Sequence, residues 1–169
     1  MNRDILERLY DEEAEGLYRY VLALAGREEV AKDLLQDVFM KIANGGMPLT
    51  GVRDVRAYLF RVARNLFIDR TRREQSGRVR GERWGREFGL EATGPDPDQG
   101  QFVDWLEDGL AELPEEQRSA VVLHLWDEMS FAEIGEICEV SSNTAASRYR
   151  YGIDKMRRRL RPLYEEIQQ

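Results

Sequence analysis

One cysteine and one histidine are all that the 169 residues offer of the softer metal ligands. Cys138 has no partner for an internal disulfide, and one His with one Cys falls short of the three or four ligands of a zinc site. No metal and no cofactor is expected, and Cys138 and His124 each read as packing residues of an apolar helix face. Long apolar runs are missing as well. No stretch approaches the roughly 20 residues a bilayer span needs, and the opening MNRDILERLYDEE has no signal-peptide core, so the expectation is no membrane insertion and a cytoplasmic address. The sequence has no GxxxxGK[ST] phosphate loop, no nucleophile elbow and no histidine beside a nucleophile. No catalytic residue is nominated and no enzyme is expected.

What is present is charge. With 34% charged and 42% hydrophobic residues, the chain favours an all-α fold over alternating strands. Its formal charge of −7 is unevenly spread. Residues 53–86 carry 11 basic side chains against 4 acidic, residues 87–136 carry 1 against 14, and residues 148–161 return to 7 against 1. Polyanions respond to potential within about 8–10 Å at physiological salt, so an acidic protein with two basic segments can still bind nucleic acid.

Residues 77–101, SGRVRGERWGREFGLEATGPDPDQGQ from Ser76 onward, break every helical period and read as a flexible, acidic linker between two small helical domains, 1–76 and 102–169. In the first, Leu34, Val38 and Ile42 recur at helical spacing, with Ala31, Leu35 and Phe39 on the adjoining row and Asp33, Gln36 and Asp37 opposite. The Gly-rich stretch NGGMPLTGVRD is a loop. A basic helix follows from about Val55 to Arg73, with Val55, Leu59, Val62 and Leu66 on one face and Arg56, Arg61, Arg64 and Arg72 on the others. Together these form an N-terminal helical bundle.

The second domain reads as four helices. FVDWLEDGLAEL is amphipathic, and Leu113-Pro114-Glu115-Glu116 opens a helix carrying Val121, Val122, Leu125 and Trp126. Ser130 and Glu133 form a capping box ahead of Ile134, Ile137 and Cys138. Ser141 caps a last helix whose inward face is Ala145, Tyr149, Ile153, Met156 and Leu160. Two short helices joined by about three residues, the second polar and basic outside, are the helix-turn-helix pattern, whose second helix enters the major groove. A plain helix hairpin with a solvated charged face has the same local pattern. The arginines interleaved with Tyr58, Phe60 and Phe67 suit a surface that grips a backbone and stacks unpaired bases, although aromatics at helical spacing are also ordinary core residues.

Taken as whole blocks, EEVAKDLLQDVFMKIA, VRAYLFRVARNLFIDRTRR and LPEEQRSAVVLHLWDEMSFAEIGEICEVSSNTAASRYRYGIDKMRRRL, in that order, resemble the extracytoplasmic-function (ECF) sigma factors, the small two-domain members of the sigma-70 superfamily. The resemblance implies promoter-specific transcription initiation, with core RNA polymerase (β and β′ subunits) and promoter DNA as partners and an anti-sigma factor as a possible third. It implies −10 recognition by the loop from Gly45 to Asp54 and by Arg56, Arg61, Arg64 and Asn65, with Phe60 and Leu66 in the core. It implies −35 recognition by Asn143, Ser147, Arg148 and Arg150, Arg148 serving a phosphate. Asp33, Gln36 and Asp37 resemble the family's docking face for the β′ clamp helices. Three departures from the family pattern stand out. Cys138-Glu139 replaces the usual Leu-Gly before the recognition helix; Ala145, Ala146 and the mid-helix Gly152 are unusually small; and no further regulatory domain is expected. Two other readings remain open at this point: a sigma-like decoy that binds an anti-sigma factor, and a stand-alone helix-turn-helix regulator.

Overall fold

A computed structural model describes residues 3–45, 49–77 and 97–167, and every regular element among them is a helix. Most of the stretch expected as linker therefore lies outside the described residues. The chain builds α1 (Arg3–Ala25), α2 (Glu28–Ala43), α3 (Val55–Gly77), α4 (Pro97–Glu112), α5 (Glu115–Leu125), α6 (Phe131–Cys138) and α7 (Ser142–Ile167). The fourth helix opens at Pro97, ahead of the amphipathic run that starts at Phe102.

The first half is a three-helix bundle. Leu17, Tyr20, Val21 and Leu24 form the buried face of α1, at spacings of three and four. That helix stops at Gly26, whose φ of 64° lets its N–H reach back to the Leu22 carbonyl at 2.8 Å. Glu28 and Glu29 at the start of α2 and Lys41 in its last turn complement the helix dipole. Its buried face is Val30, Ala31, Leu34, Val38, Phe39 and Ile42, as the periodicity predicts. Asp54 caps α3 by accepting the Ala57 N–H at 2.9 Å. Phe60 is fully buried and Leu66 half-buried against the same core.

In the second half, α5 and α6 pack on α7 through Val121, Val122, Ile134, Ile137, Ala145 and Met156. Leu125 differs from its helix mates and is 49% exposed. His124 stacks on Phe131 at 4.5 Å and meets the edge of Tyr149 at 4.6 Å, with Nδ1 2.8 Å from the Met129 carbonyl. Cys138 is buried, and burial pushes its thiol up to about 11, so it is a packing residue and not a reactive one.

One detail corrects the sequence reading of α7, and one at its turn agrees with it. Gly152, on helix propensity alone, costs about 1 kcal/mol relative to alanine. In the folded chain a Cβ there would lie 2.7 Å from Val121 Cγ2 and 3.3 Å from the Gln117 carbonyl, so the glycine permits the close approach of α5 and α7. Glu139 does take the left-handed conformation expected at the turn, with φ 58° and ψ 43°. The substitution Gly152→Ala should therefore lower stability by about 1–3 kcal/mol in urea unfolding, the cost of overpacking. Glu139→Gly should raise it by about 1 kcal/mol, since a non-glycine residue is strained there. A more stable Gly152→Ala protein would refute the packing account.

Candidate nucleic-acid interface

The helix-turn-helix is assembled from local bonds. At the start of α6, Ser130 N–H donates to Glu133 Oε2 at 2.7 Å and the Glu133 N–H donates to Ser130 Oγ at 3.3 Å, which completes the expected capping box. These bonds from Ser130 hold the Glu133 carboxyl below the usual carboxylate range. The turn then folds back over α6: the Val140 N–H bonds the Gly135 carbonyl at 2.9 Å. A Cβ on Gly135 would meet the Val140 carbonyl oxygen at 2.7 Å. The glycine this turn demands thus sits inside α6, while Glu139 bears the left-handed strain. Ser141 caps α7 by accepting the Thr144 N–H at 3.1 Å.

On α7, Asn143, Ser147 and Arg150 step by four and three and share one outward face, with Asn143 and Arg150 exposed and Ser147 half-buried. Arg148 sits around the helix from them, half-buried, where a guanidinium can reach a phosphate while its neighbours face base edges. Arg150 lies 5.7 Å from the ring of Tyr151, a residue 58% exposed that sequence reasoning passed over.

The first half offers two further surfaces. Asp33, Gln36 and Asp37 all face outward from α2, and Asp33 reaches Arg70 of α3 at 3.4 Å. Beside them α2 and α3 enclose a cavity of about 500 Å³ lined by Leu34, Asp37, Lys41, Leu66, Asp69 and Arg73 among others. The second surface is the end of the loop and the first turns of α3. There a cavity of about 280 Å³ is lined by Gly51, Arg53, Asp54, Tyr58 and Arg61, with Glu136 of α6 as a further wall. Arg61 rests over the Tyr58 ring at 5.3 Å, and Asn65 is exposed one turn further along α3.

Arg56 and Arg64 stand elsewhere. Arg64 is only 7% exposed and forms a two-pronged pair with Glu115 of α5, Nε to Oε1 at 2.7 Å and Nη2 to Oε2 at 2.8 Å. Burial works against its charge, and the bonds and charge of Glu115 outweigh it. Ser119 Oγ donates to Glu115 Oε1 at 2.7 Å, which leaves the Tyr20 hydroxyl to donate to Ser119 at 3.0 Å. Burial pushes the Tyr20 hydroxyl well above its ordinary range, so it keeps that proton. Arg56 lies 3.4 Å from Glu13 and 3.7 Å from Asp127, in the turn after α5. Asp127 is 3% exposed and also accepts from Arg19 at 3.0 Å; burial raises its carboxyl against the pull of both arginines. Arg118 of α5 donates to the Leu24 carbonyl at 2.9 Å and the Ala23 carbonyl at 3.4 Å, capping the end of α1.

The structure thus keeps Asn143, Ser147, Arg148 and Arg150 together on α7, and Asp33, Gln36 and Asp37 together on α2. It separates Arg61 and Asn65 from Arg56 and Arg64, which face the second half. Glu115, Asp127, Arg19, Tyr20 and Ser119 were not anticipated from sequence. Among the described residues no group of three His, Cys, Asp or Glu side chains is placed to hold a metal, and no helix is long and apolar enough to cross a membrane.

Two family models match this chain: sigma-70 region 2 over residues 9–77 and sigma-70 region 4 over residues 104–156. The ECF RNA polymerase sigma factor SigE of Mycolicibacterium smegmatis is 31% identical over 159 residues, 89% of this chain; the match spans 60% of that relative's length. The ECF RNA polymerase sigma factor SigL of Mycobacterium tuberculosis is 29% identical, with 94% of this chain and 90% of the relative covered. Among solved structures, the sigma factor RpoE of Bartonella quintana, crystallised with the anti-sigma factor NepR, superimposes with a TM-score of 0.74 at 21% identity, covering 95% of this chain and 98% of its own. That likeness concerns the fold.

The capping box makes a stability prediction with a pH signature. Ser130→Ala should lower the free energy of unfolding by about 1 kcal/mol at neutral pH. A carboxyl whose folded pKa is depressed stabilises the fold above its unfolded pKa and loses that contribution as pH falls through the folded value. The gap between wild type and variant should accordingly narrow in acid, as urea melts at neutral pH and below pH 4 would record. A gap that is constant across that range would separate Glu133 from the cap.

Proposed function

The chain belongs to the sigma-70 family, among its ECF sigma factors, and on that premise we propose that it directs promoter-specific transcription initiation in the cytoplasm. In this reading it binds core RNA polymerase through α2, with Asp33, Gln36 and Asp37 facing the clamp helices of β′. It reads the −35 element as duplex through α7 and the −10 element through the loop and α3. RNA synthesis belongs to the polymerase, and this protein supplies recognition.

The observation that carries the reading is the pairing of two unlike recognition surfaces in one chain. The outward stripe Asn143, Ser147 and Arg150 with Arg148 at its flank suits base edges and phosphates of a closed duplex. The cavity beside Tyr58 and Arg61 is concave, with an aromatic wall and two arginines, Arg53 and Arg61, beside Asp54 and Glu136, which suits a base taken out of the stack. Opening a base step costs a few kcal/mol, so a preformed pocket for the displaced base is what such a protein needs. An anti-sigma factor is the partner class proposed for its regulation, by kinship with the family.

The test is open-complex formation by purified core polymerase on the region upstream of this protein's own gene, with and without the protein. Arg61→Ala/Asn65→Ala should abolish melting and leave core binding intact, because neither side chain is part of the buried core. Asn143→Ala should weaken duplex binding by about 1–3 kcal/mol, the worth of one good base contact. A protein that neither binds core nor supports melting would be a decoy for an anti-sigma factor.

A further inference from the structure

The core of the second half takes one of the tyrosines in the run Arg148-Tyr149-Arg150-Tyr151 and leaves the other outside. Tyr149 meets the rings of His124 and Phe131. Tyr151 is 58% exposed, the largest exposure of any big apolar side chain among the described residues. It stands one turn beyond the half-buried Ser147 and next to Arg150, so an aromatic ring lies within the stripe assigned above to duplex DNA. Its ring adds little to the core, and its apolar area is available for contact.

Arg150 is held differently from the paired arginines of α3. Asp154, one turn further along α7, lies 4.0 Å from Arg157, and the Arg150 guanidinium rests 5.7 Å from the centre of the Tyr151 ring. Cation and ring face attract each other at that distance. A carboxylate, as Glu115 does on Arg64, occupies the guanidinium fork, whereas a ring face leaves the in-plane N–H donors unused. Held by the ring, Arg150 loses less freedom when its fork meets the paired acceptors on a guanine edge. The remainder of the ring is bare apolar surface beside that fork, and the apolar group presented in the major groove is the thymine methyl. We propose that Tyr151 is a specificity-determining residue of the duplex-reading face: its ring holds the Arg150 fork toward a guanine and packs against the methyl group of a thymine in the adjacent base pair.

The inference rests on the reading of α7 as a duplex reader, and its test separates the two. The full chain, assembled with core polymerase, is used to recover its preferred sequence from a pool of random duplexes, with core polymerase alone as the background. Affinity is then measured on that duplex and on a copy in which uracil replaces the one thymine beside the guanine, an exchange that removes only the methyl group. The recovered sequence should contain the guanine and thymine side by side. The wild-type protein should bind the uracil copy about fourfold more weakly, the worth of one buried methyl group. Tyr151→Phe should keep that difference, and Tyr151→Ala should bind both duplexes equally. Arg150→Ala should lose the preference for guanine. Both tyrosine substitutions fall on an exposed side chain, so the helical circular dichroism should not change. A wild-type protein indifferent to the methyl group overturns the proposal, and so does a Tyr151→Ala variant that still discriminates. A Tyr151→Phe variant that no longer discriminates overturns it as well, the hydroxyl and not the ring then being the reader. A recovered sequence without the guanine and thymine step defeats it while leaving α7 a duplex reader. Recovery of no sequence above the background would remove the duplex-reading assignment itself, and the inference with it.

Discussion

A guanidinium that is 7% exposed must be paired, and the pairing of Arg64 with Glu115 organises much of what surrounds it. Removing one partner of such a pair leaves a buried charge and costs several kcal/mol, so the two helices that carry them are held in one register. Glu115 is well placed for this duty. It is the first residue of α5, where the positive end of the helix dipole favours a carboxylate even before Arg64 arrives. Ser119, one turn along, turns its hydroxyl to the same carboxylate and so presents its oxygen to Tyr20 of α1. Arg118, adjacent in sequence, turns the other way and bonds carbonyls at the ends of both α1 and α4. One turn of α5 thereby ties α1, α3 and α4 together.

Much of the fold could be read from local pattern. The periodicity of α2, α3 and α7, the capping box at Ser130 and the cap at Ser141 depend on residues three or four apart, and physics at that range is visible in a string of letters. The outward faces of α2 and α7 follow from the same spacing. α1 was less legible, because its apolar stripe is regular only from Leu17 onward, while Asp11 to Glu15 is nearly all acidic. The role of Gly152 is hidden for a different reason. Propensity describes an isolated helix, and the space available to a Cβ is decided by Val121 and Gln117 of another one.

The contacts between the two halves were the least legible part. Tyr20 and Ser119 are 99 residues apart, and no period connects them. A coarse signal did exist: the block 53–86 is strongly basic and the block 87–136 strongly acidic, and the pairs Arg64–Glu115 and Arg56–Asp127 join those two blocks. Such a contrast says that the blocks attract; it does not say which arginine meets which acid. For that reason Arg56, Arg61, Arg64 and Asn65, one group by their helix, fall into two by their surroundings.

The division is one of availability. Asn143 and Arg150 are exposed on α7, while Arg64 is committed to Glu115 and Arg56 to acids on either side of it. The outward face of α7 is open to contact, whereas these two α3 arginines are already satisfied by carboxylates. Arginine suits the Glu115 pairing better than lysine would, because its fixed fork takes both carboxylate oxygens at once and stays charged throughout.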